Sequence, residues 1–170
     1  MIVLLMGAAG SGKSTVACRL AARLGCPFLD ADRLHDAASK TRMALGMPLR
    51  EEDRGPWLEA VNGVLAQHSA AGQDLVLACS ALRRSHRAAL GQGVEPLRIV
   101  FLDGEPPLLE RRIREREGHF FPAELLADQL AILEPPDDER ALRLNVSETP
   151  ERLVEQILAW LPAAEGQPGR

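Results

Sequence analysis

A glycine-rich segment close to the N-terminus narrows the possible folds more than any other part of the sequence. Gly7–Ser14 (GAAGSGKS) satisfies the pattern G-x-x-x-x-G-K-[ST] in full and directly follows the apolar run Ile2–Met6. It opens a stretch in which Val16, Leu20 and Leu24 share one helical face. A strand that turns through glycines into a helix aims backbone N–H groups and the positive helix end at one point. The segment therefore predicts a site for the phosphates of a nucleotide.

The lysine of this segment stands out against the composition of the chain. The sequence has 18 arginines and only two lysines, Lys13 and Lys40. A compact ammonium fits between phosphates where a planar guanidinium does not, so chance is a poor explanation for Lys13. We expect Lys13 to span the β- and γ-phosphates of ATP and Ser14 to bind Mg²⁺. The predicted nucleotide-binding residues of the loop are Gly7, Ala8, Ala9, Gly10, Ser11, Gly12, Lys13, Ser14 and Thr15.

The hydrophobic pattern predicts an α/β fold with a mostly parallel sheet and right-handed crossovers. Short apolar runs without strict alternation are typical of strands covered on both faces. The predicted strands are Ile2–Met6, Pro27–Leu29, Leu75–Cys79, Ile99–Leu102 and, as an edge strand, Ala141–Val146. Helical faces separate them, and Thr149 and Pro150 provide the cap and first position of the last helix. We predict one domain over residues 1–161 and a flexible tail over 162–170.

Composition excludes several classes of partner. The 170 residues carry a formal charge of −4, which argues against nucleic acid and anionic membranes because both require a basic surface. No apolar run approaches the roughly 20 residues of a membrane span. Cys18, Cys26 and Cys79 are scattered and form no metal-binding pair, which indicates reduced thiols and a cytoplasmic location.

Two aspartates follow the second predicted strand. In extended backbone, Asp30 and Asp32 would point to the same side and face the crevice of the phosphate loop. One could orient Mg²⁺ through water while the other accepts a proton from a hydroxyl group. Asp32 could instead only cap the next helix. No strand ends in an obvious second magnesium ligand, with Asp103 after the fourth strand as the fallback.

Arginines supply two further candidate groups. Arg54 could grip an acceptor carboxylate, or it could be an ordinary surface residue. Arg112 and Arg116 lie one turn apart and precede Gly118, so they could close as a lid over the nucleotide. Spacing alone favours a solvated helix face with ion pairs to nearby glutamates.

Taken together, these motifs resemble the small bacterial gluconate kinases, or thermoresistant gluconokinases, which are related to shikimate kinases. The similarity extends from about Val3 to Trp160. It rests on Gly7–Thr15, Phe28–Asp32, Leu34-His35, Met43, Gly46, Pro48-Leu49, Asp53-Arg54, Pro56–Leu58, Cys79–Leu82, Gly118–Phe121, Gln129 and Leu133–Pro135.

The resemblance implies ATP-dependent phosphorylation of D-gluconate at its 6-hydroxyl, a shikimate-kinase-like fold with a five-stranded parallel sheet and a small helical lid (about 111–125), and a homodimer. It implies three catalytic residues: Lys13, Asp32 and Arg116. Arg112 and Arg116 would face ATP, and Ser14 and Asp30 would hold Mg²⁺. Implied contacts to gluconate are Asp32, His35, Arg54, Arg83, His119 and Gln129. The chain departs from the family at Asp36, Ser39, Arg42 and Arg83.

Two other functions fit the motifs. One is a P-loop kinase for a different small acceptor, such as shikimate, another sugar acid or a nucleotide. The other is a nucleotide-dependent switch or regulatory ATPase without an acceptor. The aspartate pair and the arginine lid favour a kinase.

Overall fold

The computed structural model describes residues 1–45, 47, 51–115, 123–137 and 139–165. Its strands are β1 (Ile2–Met6), β2 (Phe28–Asp30), β3 (Leu75–Ala78), β4 (Leu97–Asp103) and β5 (Ala141–Asn145). Its α-helices are α1 (Lys13–Leu24), α2 (Ala37–Ala44), α3 (Glu51–Ala70), α4 (Arg84–Gly91), α5 (Pro106–Arg114), α6 (Ala123–Ala131) and α7 (Pro150–Glu165), and a short 3₁₀ helix covers Ala31–Leu34.

The five strands form one parallel sheet in the order β2-β3-β1-β4-β5. β1 lies in the centre, with Leu4 paired to Leu77 on one side and to Ile99 on the other. Because all strands run in the same direction, their carboxyl ends meet at one edge of the sheet. The glycine-rich loop after Met6 therefore lies beside the segments that follow β3 and β4.

Helices cover both faces of the sheet, since β1 is buried on both sides. Val3 and Leu5 belong to one apolar cluster with residues of α1 and α7. Ile2, Leu4 and Met6 belong to a second cluster with residues of α3. The predicted three-layer α/β/α fold with a five-stranded parallel sheet is confirmed.

Several local predictions are also confirmed, with shifted boundaries. β5 is an edge strand, and β2 begins one residue later than predicted. The Thr149 hydroxyl accepts a hydrogen bond from the Arg152 amide at 3.3 Å, so Thr149 caps α7. α7 continues to Glu165, past the boundary expected at residue 161. Within the described residues, every helix is too short or too polar to cross a bilayer.

Candidate active site

The glycine-rich loop is held in place by two close approaches that only glycine permits. Gly7 has φ +146°, and a Cβ there would stand 2.5 Å from the Leu102 carbonyl oxygen. Gly10 has φ +78°, and a Cβ there would stand 2.6 Å from the Leu109 carbonyl oxygen of α5. The loop thus packs directly on the end of β4 and on α5, where any side chain at these two positions would force the backbone apart.

The mouth of the loop is open and lies at a helix N-terminus. Gly12 caps α1 in the left-handed conformation, and a Cβ there would meet no atom within 4 Å. The Val16 amide donates to the Gly12 carbonyl at 3.0 Å, which makes the preceding amides the first turn of the helix. N–H groups of a first turn have no partner within their own helix and carry its positive potential. This end of α1 suits an anion.

The peptide unit between Ala8 and Ala9 is bonded at both of its polar ends. Its carbonyl oxygen, on Ala8, accepts from Lys13 Nζ at 2.9 Å and from the Ser11 amide at 3.3 Å. Its N–H, on Ala9, donates to the side-chain oxygen of Gln129 in α6 at 2.7 Å. Gln129 was expected at the acceptor, but its oxygen contacts the phosphate loop.

Ser14 and Asp30 lie together at the edge of the sheet, as predicted. The Ser14 hydroxyl donates to Asp30 Oδ2 at 2.8 Å. Mg²⁺ prefers such hard oxygen ligands and completes its shell with phosphates and water instead of a full protein cage. The residues present therefore fit a magnesium ion. Among the described residues, no group of three or more histidine, cysteine or acidic side chains forms a denser metal site.

The backbone geometry predicted for the two aspartates is wrong. Asp30 ends β2, but Asp32 lies in the 3₁₀ helix, so the alternation of a strand does not relate the two side chains. Asp30 is the residue that caps this helix, because its Oδ1 accepts from the Asp32 amide at 3.1 Å. A run of only four helical residues leaves no periodic signal, which explains the error.

Asp32 stands near the phosphate loop in a distinctive electrostatic environment. Its side chain is 73% exposed, so a substrate can reach it. Partial desolvation by the surrounding protein and the charge of Asp30 raise the pKa of the Asp32 carboxyl. The charges of Lys13 and His35 lower it. A raised pKa suits a general base.

His35 is buried, which differs from what a direct substrate contact requires. Its ring stacks on Trp57 with centroids 4.3 Å apart and an interplanar angle of 13°. Burial lowers the pKa of His35, although Asp32 and Asp36 oppose the shift, so the ring is neutral near pH 7. Nε2 lies 3.9 Å from Asp32 Oδ1. The Trp57 indole donates to the Ala31 carbonyl at 2.8 Å and fixes the same turn. His35 therefore forms the wall behind Asp32.

Two arginines predicted for the acceptor are half-buried. Arg54 lies in α3, and its charge contributes to lowering the pKa of His35. Arg83 caps the N-terminus of α4, in the loop that follows β3. The Gly7 amide donates to the Ser80 carbonyl at 3.3 Å, so this loop is bonded directly to the phosphate loop.

Sequence reasoning missed the ion pair that anchors the loop carrying Arg83. Arg87 is 2% exposed, and its guanidinium binds both carboxylate oxygens of Glu139, with a shortest distance of 2.6 Å. It also donates to the Ala81 and Leu82 carbonyls at 3.0 and 3.2 Å. Ala81 has φ +43°, a conformation that needs such support in a residue with a side chain. The partners are 52 positions apart, so no local pattern could reveal the pair.

The structure describes only some of the residues predicted for the lid and for the alternative magnesium ligand. Arg112 is half-buried and donates to the Val146 carbonyl at 2.6 Å, and its contact to ATP stays a prediction. Arg116, His119 and Gly118 lie outside the described residues, as does the centre of the lid. Asp103, the alternative magnesium ligand, accepts two hydrogen bonds from Arg143 at its Oδ2, at 2.9 and 3.0 Å. This oxygen is therefore already engaged.

A parallel sheet whose first strand runs through a glycine loop and a lysine into a helix N-terminus defines a P-loop nucleotide-binding protein. The AAA domain family matches residues 2–136. A gluconokinase of Gluconobacter oxydans (strain 621H) is 41% identical over 164 residues, covering 96% of this chain and 92% of that protein. The chain therefore belongs to the gluconokinase family of AAA-domain proteins.

Solved structures agree with this assignment. The crystal structure of a gluconokinase from Sinorhizobium meliloti 1021 is similar with a TM-score of 0.86 and 38% identity, covering 95% of this chain and 91% of that one. The crystal structure of a sugar kinase from Janibacter sp. HTCC2649 is similar with a TM-score of 0.89 and 39% identity, covering 95% and 94%. The expected family resemblance is confirmed.

Proposed function

We infer that this chain is a gluconokinase, which transfers the γ-phosphoryl group of ATP to the 6-hydroxyl of D-gluconate and releases ADP. The observation that carries this function is the arrangement at the sheet edge. The open phosphate loop, the Ser14–Asp30 oxygen pair and the accessible Asp32 lie together there. The names of the similar proteins supply the acceptor.

We propose that the phosphate loop and Lys13 bind the triphosphate. The amides at the start of α1 would hold phosphate oxygens, and Lys13 would keep one of its three N–H donors on the Ala8 carbonyl while the others meet the β- and γ-phosphates. Ser14 and Asp30 would hold Mg²⁺, which supplies charge neutralisation on the phosphates when bound. The 2.8 Å contact between their oxygens supports this pairing. Arg112 and Arg116 would complete the nucleotide site as lid residues.

Asp32 is the proposed general base. Its raised pKa and its exposure support the removal of a proton from the 6-hydroxyl as the phosphorus is attacked. Arg54 and Arg83 would hold the gluconate carboxylate through paired N–H donors. His35 and His119 complete the proposed surroundings of the acceptor, whereas the side-chain oxygen of Gln129 is bonded to the phosphate loop. For His35, burial against Trp57 supports a role in shaping that pocket.

An acceptor panel tests this function. ADP release from purified protein with Mg²⁺ and ATP is compared with gluconate, other sugar acids, shikimate, nucleoside monophosphates and no acceptor. We expect turnover that requires gluconate, and phosphate on its 6-oxygen by ³¹P and ¹³C NMR. Lys13→Ala should abolish turnover, whereas Lys40→Ala should retain it. Efficient turnover of a different acceptor, or ATP hydrolysis indifferent to gluconate, would replace this function by a related kinase or a switch.

We also propose a cytoplasmic location and a homodimer. The three cysteines form no disulfide, which supports a reducing compartment. The dimer rests on the family resemblance. Sedimentation equilibrium of the purified protein tests it, with twice the chain mass of 18.5 kDa as the expected result.

A further inference from the structure

We infer that Gln129 is a positioning residue for Lys13, acting through the Ala8–Ala9 peptide of the phosphate loop. The inference rests on the proposed nucleotide site and adds a residue that controls its geometry. Gln129 belongs to α6 and is separated from Ala9 by 120 positions, yet the two are joined by a 2.7 Å hydrogen bond.

The peptide group that joins Ala8 and Ala9 is planar. The Ala8 carbonyl and the Ala9 N–H belong to one rigid unit and point in opposite directions. Lys13 Nζ donates to that carbonyl at 2.9 Å, and the N–H at the other end donates to Gln129 Oε1. Rotation of this unit would break both bonds. The acceptor atom of Gln129 therefore fixes the direction of the carbonyl that holds the Lys13 ammonium.

Conformational freedom makes such a restraint necessary. The loop contains Gly7, Gly10 and Gly12, all at positive φ, and glycine gives a loop many alternative conformations. Gly7 and Gly10 are confined by backbone oxygens of Leu102 and Leu109. Ala8 and Ala9, between these two positions, have side chains too small to anchor the peptide. The Ser11 amide restrains the carbonyl end of this peptide at 3.3 Å, and the Gln129 oxygen adds the shorter, 2.7 Å contact at its N–H end.

The charge arrangement is consistent with this role. The side-chain oxygen of Gln129 is a neutral acceptor, so it orients the loop without adding a negative charge beside the phosphates. Its hydrogen bond also connects α6, which follows the proposed lid segment in the sequence, to Ala9 of the phosphate loop. Nucleotide affinity should therefore depend on Gln129 even though its oxygen is bonded to protein.

The small number of lysines gives a direct test that needs no nucleotide. Protein labelled with ¹³Cε-lysine contains two labelled side chains, Lys13 and Lys40, assigned by Lys40→Arg. Lys40 donates to the Arg33 carbonyl at 2.9 Å and serves as the internal reference. Gln129→Met removes the acceptor at similar volume and should move the Lys13 resonance but not that of Lys40. The matched control Gln67→Met, on the exposed part of α3, should move neither.

The second measurement is the affinity for a Mg²⁺–ATP analogue by calorimetry. Loss of one hydrogen bond predicts a dissociation constant raised about 2- to 10-fold in Gln129→Met. The melting temperature of nucleotide-free Gln129→Met shows whether this variant folds. If it does not, Gln129→Asn replaces it, because the asparagine side chain is too short for its oxygen to reach the Ala9 amide. An unchanged Lys13 resonance, or an unchanged affinity, overturns the inference. Failure of wild-type protein to bind nucleotide would instead overturn the proposed function, because the resonance test is made without ligand.

Discussion

Among the single residues of the site, Asp30 and Asp32 differ in their surroundings. Asp30 is committed to Ser14 through one oxygen and to the Asp32 amide through the other. Asp32 is open to solvent and has a raised pKa. The sequence pattern allowed one aspartate to orient Mg²⁺ and the other to accept a proton, but it wrongly predicted that both lie in extended backbone. The proposed roles differ because both oxygens of Asp30 are hydrogen-bonded whereas the side chain of Asp32 is exposed, and this difference depends on the turn at Ala31.

Replacing Asp32 tests the assignment of the base. Asp32→Asn keeps the shape of the side chain but cannot accept a proton, so kcat should fall by about 10²- to 10⁴-fold. Nucleotide affinity should remain within about twofold, since the phosphates are held elsewhere. Steady-state kinetics and calorimetry measure the two quantities.

The matched control is Asp36→Asn. Asp36 Oδ1 accepts from the Ser39 amide at 2.6 Å, so Asp36 is a helix cap. Asparagine caps equally well, and kcat should be preserved. A comparable loss of kcat in both variants would contradict the role of Asp32.

The proximity of the two carboxylates predicts a measurable coupling. Asp30→Asn removes the negative charge that, together with desolvation, raises the pKa of Asp32, so that pKa should fall. A ¹³C-carboxyl NMR titration of nucleotide-free protein, assigned with Asp32→Asn, measures it. Asp74→Asn, at the N-terminal ammonium of Met1, is the control and should leave the Asp32 titration unchanged.

The same shift has a defined sign for stability. A carboxyl whose folded pKa exceeds its unfolded pKa keeps its proton longer in the folded state. Ionisation of Asp32 therefore lowers the free energy of unfolding as pH rises through the raised pKa. Asp30→Asn should reduce that loss. A titration of Asp32 that moves upward in this variant would contradict the coupling.

At the scale of elements, the β1–loop–α1 unit is predictable because all its signals are local. Apolar residues, glycines and the helical face occur consecutively, and β1 is found at its predicted bounds. The 3₁₀ helix and the Arg87–Glu139 pair are not predictable, because one is too short for a period and the other depends on distant partners. Gln129 also belongs to this second group.

The contact between the loop and α5 gives a prediction at this scale. Gly10 and Gly25 both have positive φ, but only at Gly10 does an added Cβ meet a backbone oxygen, 2.6 Å away. Gly25→Ala should cost about 1 kcal/mol of unfolding free energy from backbone strain. Gly10→Ala should cost more than Gly25→Ala because the loop and α5 must also separate.

Urea unfolding and nucleotide calorimetry check both variants. Affinity for Mg²⁺–nucleotide should fall in Gly10→Ala and remain unchanged in Gly25→Ala, whose position is the C-cap of α1. Equal unfolding free energies for the two variants would show that the approach of α5 does not confine the loop.

At the scale of the whole molecule, the class of fold was predictable from alternating apolar and helical segments. The order of strands was not, because pairing depends on contacts between segments far apart in sequence. The residues proposed for the acceptor site belong to the 3₁₀ helix, α3 and the loop before α4. Only the family resemblance connected these parts, since no motif spans them.

Nucleotide binding should stabilise the entire domain. At a Mg²⁺–nucleotide concentration of about 100 Kd, linkage predicts about 2.7 kcal/mol of added stability. For a domain of this size, that corresponds to a melting temperature raised by roughly 5–11 °C. Differential scanning fluorimetry measures the shift.

Lys13→Ala should lose most of this shift, while Lys40→Ala should retain it. A full shift in Lys13→Ala would mean that the nucleotide binds away from the phosphate loop.

The central place of β1 has a consequence for how the chain matures during synthesis. β1 leaves the ribosome before both of its neighbours and pairs with them only when β3 and β4 have followed, and β4 ends at Asp103. A nascent chain released before that residue would carry the entire phosphate-binding motif with no sheet to hold it. Competence to bind nucleotide should therefore appear abruptly, once β4 has emerged.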